Sequence, residues 1–225
     1  MAKYLTFGFD DCEIHDRRLA ELFRQYGMGA TFFLISGQLG MKCLFHRYGE
    51  DTTVERVSSD ELRTTYRDME VASHTAAHTC SIDDLPGSVG ESCRVLSDLC
   101  GYPVDGLAYP GGSYTSAHIP ALRAMGIRYA RTTACTYDFD VPQEFLAWDP
   151  TCRYDDARVP ELVERFLALP AEETGVFYLY GHSYEMTRKG APYDFASFER
   201  LLQHLAGRRD VTYATNRQVW AALQE

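Results

Sequence analysis

The stretch TFGFDD, residues 6–11, runs from an apolar, β-favouring segment directly into two adjacent carboxylates, Asp10 and Asp11. An apolar run of this kind predicts a strand that is covered on both faces, as in a parallel sheet. Short carboxylates often cap the helix that follows a strand, so a structural role is one alternative. Successive side chains at a strand end point in different directions, so one carboxylate can bind a metal ion while its neighbour accepts a proton.

The same alternation of apolar runs and amphipathic stretches continues to the end of the chain, as expected for parallel strands connected by helices. One amphipathic stretch has an apolar stripe from Leu19 to Tyr26 and predicts a helix that stops at Gly27. The predicted strands are residues 4–9, 30–35, 70–73, 106–109, 127–131, 176–180 and 211–214. We therefore predict an α/β fold in a single domain, residues 1–225.

Two connections in this pattern, roughly residues 37–57 and 132–158, are too long for ordinary turns between strands and helices. Long loops in a compact domain commonly carry function. We therefore expect both connections to frame a pocket.

Composition narrows the classes of partner. The net charge of −10 argues against nucleic acid and against an anionic membrane surface, because both would be repelled. No stretch reaches the length of a membrane span, and the first residues lack an export signal, so a cytoplasmic location is expected. The seven cysteines are odd in number and scattered, which favours reduced thiols. Oligomeric state is not readable from the sequence.

Polar and reactive side chains gather directly after the predicted strands, where the active sites of parallel α/β barrels lie. They are Asp10 and Asp11, Ser73 with His74 and His78, Tyr109 to Gly112, Arg131 with Thr132, Gly181 to Ser183, and Thr215 with Asn216. In the stretch SHTAAH, a helical turn would direct His74 and His78 to one point. With one carboxylate they form a three-ligand site for a divalent ion, although such a pair can also lie on a surface turn without a ligand.

Together with AYPGG, residues 108–112, and LYGH, residues 179–182, these stretches resemble the motifs of the NodB-like polysaccharide deacetylases, carbohydrate esterase family 4. The resemblance implies a distorted (β/α)7 barrel that removes acetyl groups from an N-acetylated saccharide. The metal ligands that it implies are Asp11, His74 and His78. It makes Asp10 the general base and His182 the general acid.

Two departures from the family pattern concern the catalytic base. The arginine that supports this base in the family would fall at Ala108, and the DxxDW-like motif that tethers the arginine has no clean match. We therefore hypothesise that Arg131, at the end of the fifth predicted strand, replaces that arginine from a neighbouring strand. A purely structural salt bridge between Arg131 and some other acid is the alternative.

Other residues are predicted to hold the substrate. Gly111 is expected to donate its backbone N–H to the oxyanion, because glycine lets the main chain approach closely. Tyr109, Trp148 and Tyr184 are predicted to stack on sugar faces, and Trp148 is expected in an exposed loop.

The chemistry of the predicted ligands indicates which metal ion binds, and the neighbours of His182 indicate whether it can act as the acid. Two nitrogens and one oxygen suit Zn²⁺ best, while Co²⁺, Ni²⁺ and Mn²⁺ are alternatives. A bound divalent ion would lower the pKa of its water and polarise the acetyl carbonyl. His182 can carry a proton at neutral pH if a carboxylate supports it, and Glu185 is the candidate.

Other functions fit the same residues. The same apparatus could cleave an O-acetyl ester or another C–N bond, since an activated water attacks any reachable carbonyl. The missing arginine at Ala108 would suit a saccharide-binding barrel without turnover. Two histidines and a carboxylate can also form the iron site of an oxygenase, but Asp10 and His182 would then have no task.

Overall fold

The structure is a computed structural model that describes residues 2–224 except 48, 171 and 189. Its strands are β1 (Lys3–Asp10), β2 (Thr31–Leu34), β3 (Lys42–Arg47), β4 (Glu50–Glu55), β5 (Glu70–Ser73), β6 (Gly106–Ala108), β7 (Tyr129–Arg131), β8 (Cys152–Arg153), β9 (Gly175–Gly181) and β10 (Val211–Tyr213). Its α-helices are α1 (Asp16–Gln25), α2 (Leu62–Thr65), α3 (Glu91–Cys100), α4 (His118–Ala124), α5 (Val159–Leu167), α6 (Phe195–Leu205) and α7 (Asn216–Ala222). Each strand predicted from an apolar run is confirmed, with ends that differ by at most two residues.

The main sheet is parallel and has the order β7-β6-β5-β2-β1-β9-β8. Its two edges meet through the segment of residues 148–153. Trp148 N donates to Ala130 O at 2.9 Å at the start of this segment, and Thr151 N donates to Tyr178 O at 2.9 Å further along. The segment therefore joins β7 to β9 and closes the distorted (β/α)7 barrel that the family resemblance implied.

The side chains of β1 alternate between the two faces of the barrel wall. Phe7 and Phe9 point outward, and their rings lie 6.1 Å and 5.8 Å from the ring of Phe198 on α6. Gly8 faces inward, where a Cβ atom would lie 2.7 Å from the hydroxyl of Tyr178 on β9. This alternation directs Asp10, the last residue of β1, into the barrel at the carboxyl end of the strands.

The predicted last strand does not reach that end of the barrel. β10 pairs with the beginning of β1, with Lys3 opposite Val211. Asn216 therefore lies low in the barrel, where its side chain accepts a hydrogen bond from Thr6 at 2.8 Å and donates one to Tyr178. The prediction that Thr215 and Asn216 join the residues at the barrel mouth was wrong.

The two long connections contain strands of their own. Residues 37–57 hold an antiparallel hairpin, β3 with β4, and residues 132–158 hold β8. The base of the hairpin bonds to the turn after β1, since Ile14 N donates to Glu55 O at 2.9 Å and Val57 N donates to Cys12 O at 2.9 Å. The hairpin thus supports the turn that carries Asp11.

The seven cysteines are free thiols in this structure. None of the helices in the described part of the chain has the length and apolar character that crossing a bilayer requires.

Candidate active site

The chain leaves β1 at the two adjacent carboxylates through a strained turn. The backbone leaves the strand at Asp11 with φ 81° and at Cys12 with φ 49°, in the left-handed region that non-glycine residues rarely adopt. The buried side chain of Arg56, at the base of the hairpin, donates to the main-chain carbonyl of Asp11. This bond supports the strained turn, and both carboxylates reach the same histidine nitrogen: Asp10 Oδ2 lies 4.0 Å and Asp11 Oδ1 lies 3.9 Å from His74 Nε2.

The two histidines follow β5 in an irregular loop and not in the helical turn that we predicted. Thr75 has φ 69° and His78 has φ 58°, which a helix does not allow. Short side chains fix this loop: Thr75 N donates to Ser73 Oγ at 3.0 Å, and Thr79 N donates to Thr75 Oγ1 at 3.0 Å. The loop nevertheless turns both imidazoles towards one point.

The three predicted ligands converge on that point. His74 Nε2 lies 3.9 Å and His78 Nε2 lies 3.8 Å from Asp11 Oδ1, and one ligand atom from each residue lies within 4.8 Å of the others. His74 Nδ1 donates to the carbonyl of Ala108 at 2.8 Å, which directs Nε2 to the centre. Two imidazole nitrogens and one carboxylate oxygen in this arrangement fit a divalent metal ion.

The protonation states of these residues also suit a cation. Burial opposes ionisation of Asp11, but neighbouring positive charge, above all that of His182, outweighs it and holds the pKa of Asp11 below its usual value. Burial lowers the pKa of His74, so its ring is neutral at neutral pH. An ionised carboxylate and a neutral imidazole are the forms that bind metals.

Asp10 lies beside this cluster and is paired with Arg131. One carboxylate oxygen, Oδ2, accepts a hydrogen bond from Arg131 Nη2 at 2.5 Å. Arg131 is fully buried, donates a second bond to Thr132 O at 2.9 Å, and lies 4.6 Å from the ring centre of Tyr180. Burial opposes its charge, but Asp10 outweighs burial and raises the pKa of Arg131. The contact that the Arg131 hypothesis requires is therefore present.

The second oxygen of Asp10 is in a different situation. Asp10 Oδ1 is buried and has no hydrogen-bond partner among the described residues. A buried oxygen of this kind costs free energy unless something outside the chain bonds to it. A water molecule beside a metal at the neighbouring cluster would satisfy this oxygen.

His182 follows β9, which neighbours β1 on the side away from β2. Its Nδ1 lies 3.3 Å from Glu185 Oε2, and Glu185 also pairs with Arg153 at 2.6 Å. Burial opposes the charge on both residues of the His182–Glu185 pair. Their mutual attraction, helped by Arg153 and Asp10, outweighs burial, lowers the pKa of Glu185 to about 2 and raises the pKa of His182. His182 is thus suited to hold a proton near neutral pH.

The turn after β6 consists of Pro110, Gly111 and Gly112. Gly111 has φ 61° and open space where a Cβ atom would lie. Gly112 has φ 72°, and a Cβ atom there would lie 2.1 Å from Thr133 Oγ1. Glycine is required at Gly112 for close packing, and its neighbour Gly111 leaves the main chain accessible to a ligand.

A sequence model of the polysaccharide deacetylase family matches residues 2–130. The chain belongs to this family. The match includes Asp10, Asp11, His74 and His78 but ends before Arg131. No curated protein sequence matches this chain significantly.

Several solved structures of similar fold cover nearly all of this chain. A putative polysaccharide deacetylase from Mycobacterium smegmatis is 15% identical, with a TM-score of 0.66 over 99% of this chain and 90% of its own. The Xyl-CE4 domain of a multidomain xylanase from the hindgut metagenome of Trinervitermes trinervoides is 16% identical, with a TM-score of 0.60 over 100% and 92%. A family 4 acetyl xylan esterase from Clostridium thermocellum, in complex with a cobalt ion, is 12% identical, with a TM-score of 0.58 over 97% and 91%. These likenesses establish the shared fold.

Of the three predicted aromatic platforms, only Tyr184 is partly exposed. Trp148 is 1% exposed and packs 4.8 Å from the ring of Tyr178, so the prediction of an exposed loop was wrong. The reason is that residues 148–153 form part of the barrel wall. Tyr109 is also buried, and its ring is stacked 4.9 Å behind that of Tyr114. The ring of Tyr184 lies 5.1 Å from that of His182, close to the predicted acid.

Sequence reasoning missed Arg56 and Arg153, which hold Asp11 and Glu185 in place. Both arginines lie in segments that we expected to be loops, and neither belongs to a motif. Only the hairpin and β8, which are tertiary features, bring them to the site.

Proposed function

We propose that this protein is a metal-dependent hydrolase that removes the acetyl group of an N-acetylated saccharide, with residues 1–225 as its catalytic unit. The observation that carries the proposal is the convergence of Asp11, His74 and His78 beside Asp10, whose Oδ2 lies 4.0 Å from His74 Nε2 and whose buried Oδ1 has no hydrogen-bond partner among the described residues. A cytoplasmic location stays a prediction.

When bound to the three ligands, a divalent ion would polarise the acetyl carbonyl and make water a stronger nucleophile at neutral pH. Two imidazole nitrogens and one carboxylate oxygen suit Zn²⁺, with Co²⁺, Ni²⁺ and Mn²⁺ as alternatives. The acetyl xylan esterase of similar fold is described with cobalt.

Asp10 accepts the proton of the attacking water in this mechanism. Its Oδ1 is available for that bond, while its Oδ2 is held by Arg131 at 2.5 Å. Arg131 cannot take the proton itself, because its guanidinium stays charged. Its role is to fix the orientation of the Asp10 carboxylate towards the water.

His182 donates a proton to the nitrogen of the sugar as the C–N bond breaks, so that the products are a free amine and acetate. Glu185 keeps the imidazole protonated and oriented. The backbone N–H of Gly111 is the proposed donor to the oxyanion, and Tyr184 is the proposed contact for the sugar ring.

The direct test is release of acetate from a panel of N-acetyl and O-acetyl saccharides by protein reconstituted with Zn²⁺, Co²⁺, Ni²⁺ or Mn²⁺. We expect acetate from N-acetyl saccharides, and none from chelator-treated protein or from the ligand variant His78→Ala. Release only from O-acetyl saccharides would identify an esterase. Metal binding without any acetate would favour a saccharide-binding barrel, and oxygen uptake with Fe(II) would favour an oxygenase.

The His182–Glu185 pair gives a prediction about pH. Burial lowers the pKa of His182 and Glu185 raises it, so removing the carboxylate lowers this pKa. The acid must be protonated, and its protonated form is lost as the pH rises through its pKa. In Glu185→Gln the alkaline limb of the kcat profile is therefore expected to move to lower pH.

A matched control for this experiment is Glu164→Gln. Glu164 forms a similar pair with His204 at 2.9 Å, but on the exposed surface. Its substitution should leave the pH profile unchanged. An alkaline limb in Glu185→Gln that coincides with that of the wild type would rule out the proposed support of His182.

A further inference from the structure

One buried carboxyl near the site has no task in this mechanism. Asp16, the first residue of α1, has no exposed surface. Ser183 Oγ donates to Asp16 Oδ1 at 2.5 Å, and the hydroxyl of Tyr66 donates to Asp16 Oδ2 at 2.9 Å. Both partners are also buried. Such fully bonded polar groups in the interior fix their partners in one arrangement.

Ser183 is the residue that connects Asp16 to the acid. It directly follows His182 and begins the 3₁₀ turn of residues 183–187. This turn brings Glu185 back to the histidine: Glu185 N donates to His182 O at 3.3 Å, and Glu185 Oε2 lies 3.3 Å from His182 Nδ1. The position of Ser183 therefore sets the position of the imidazole and of its carboxylate partner together.

Asp16, at the other end of the hydrogen bond from Ser183, lies in the segment that carries the base Asp10. Asp16 begins α1 directly after the turn that contains Asp11, and Asp16 N donates to Glu13 O in that turn at 2.8 Å. The hydrogen bond between Asp16 and Ser183 thus joins the segment of the base to the segment of the acid, which lie far apart in the sequence.

We propose that Asp16 is a positioning residue that acts through Ser183 to hold His182 where it can protonate the leaving nitrogen. This inference rests on the proposed function, since it assigns Asp16 to the same reaction. The base and the acid act on opposite ends of one reacting group, so their separation must be fixed to a fraction of an ångström. The Asp16–Ser183 bond supplies that restraint.

The charge of Asp16 supports a role in positioning. Burial raises its pKa to about 8, against the opposing effect of its bonds to Ser183 and Tyr66. A carboxyl with this pKa is largely protonated at neutral pH, and in that form one of its oxygens donates to Ser183 or Tyr66 instead of accepting. A group that works through hydrogen bonds alone should be replaceable by an amide of the same shape.

The test compares two substrates whose leaving groups differ in their need for an acid. An N-acetyl saccharide releases an amine, which must be protonated, whereas 4-nitrophenyl acetate releases a phenolate, which leaves without a proton. With metal-loaded protein, Ser183→Ala and Asp16→Ala are expected to lower kcat on the saccharide about tenfold, part of the about 10²- to 10⁴-fold that an acid supplies. Their kcat on 4-nitrophenyl acetate and their affinity for Zn²⁺ should stay close to wild type.

Two further variants separate positioning from general damage. Asp16→Asn keeps the shape and one acceptor oxygen, so it should retain most of the saccharide activity. Ser97→Ala removes another hydroxyl with two hydrogen bonds, to Cys93 O at 2.6 Å and from Val104 N at 2.9 Å, and should affect neither substrate. Ser183→Ala removes a single oxygen, which keeps the test valid even if Asp16→Ala fails to fold.

The outcomes distinguish this inference from the proposed function. Equal losses on both substrates, or no loss on either, in Ser183→Ala would overturn the positioning role while wild-type deacetylation stands. Wild-type protein that releases acetate from no N-acetyl saccharide would overturn the proposed function and this inference with it.

Discussion

Asp10→Asn is expected to lower the turnover of N-acetyl saccharides by about 10²- to 10⁴-fold, the usual contribution of a general base. The amide has the shape of the carboxylate but cannot accept a proton from water. The metal ligands Asp11, His74 and His78 are unchanged, so the affinity for Zn²⁺ should stay within a few-fold of wild type. Acetate release and calorimetric titration with Zn²⁺ check the two expectations on the same protein.

The control for this substitution is Asp98→Asn. Asp98 also pairs with an arginine, Arg94, at 3.0 Å, but on the exposed surface of α3. It should leave turnover and metal affinity unchanged. Turnover near the wild-type value in Asp10→Asn would remove the base from the mechanism, and loss of Zn²⁺ binding would make Asp10 a ligand.

Arg131→Ala is expected to lower turnover by about 10- to 100-fold, the range typical of residues that orient a group at a metal site. Without the guanidinium, the Asp10 carboxylate loses the hydrogen bond that orients it. The substitution also leaves a buried carboxylate unpaired, so the free energy of unfolding should fall by about 3–5 kcal/mol. Turnover and chemical denaturation together measure the two effects.

Arg131→Lys serves as the comparison. It keeps the positive charge but loses the planar fork that bonds Asp10 and Thr132 O together. Stability should largely return, whereas turnover should recover only in part. Turnover close to wild type in folded Arg131→Ala would show that Arg131 is a structural salt bridge and leaves the role of the missing arginine at Ala108 unfilled.

The sequence was a good guide to those parts of the barrel that are buried on both faces. Strands such as β1 and β9 are continuous apolar runs, because helices cover one face and the packed interior of the barrel covers the other. This local signal does not depend on which strands become neighbours. It therefore identified the strands within two residues of their ends.

The pattern of apolar runs failed to predict the structure where hydrogen bonds between distant segments decide it. The segment of residues 148–153 contains Trp148, Asp149 and Pro150, which resemble a loop in the sequence. Only its hydrogen bonds to β7 and β9 make it part of the barrel wall. β10 is an apolar run, as predicted, but it pairs with the first residues of β1. Its position along the barrel was therefore not predictable from the sequence. Register between distant segments is a tertiary property.

The site shows the same division. Asp10, Asp11, His74 and His78 were found because each lies at a fixed place after a strand, and the barrel brings strand ends together. Arg131 was found from the same principle. Asp16 was not found, because a buried aspartate at a helix start looks in the sequence like an ordinary cap, and Ser183 was placed at the end of its strand without a role.

The lower end of the barrel affects how products depart. In the described part of the chain, Asn216 fills this end by bonding to Thr6 and Tyr178, and Glu70 accepts hydrogen bonds there from Thr31 at 2.8 Å and Tyr129 at 2.5 Å. A floor sealed by side chains gives acetate no rear exit. In the proposed reaction, acetate would therefore leave by the entrance that admits the saccharide. A sugar still bound there would block its release, and accumulated acetate would compete with the next substrate molecule.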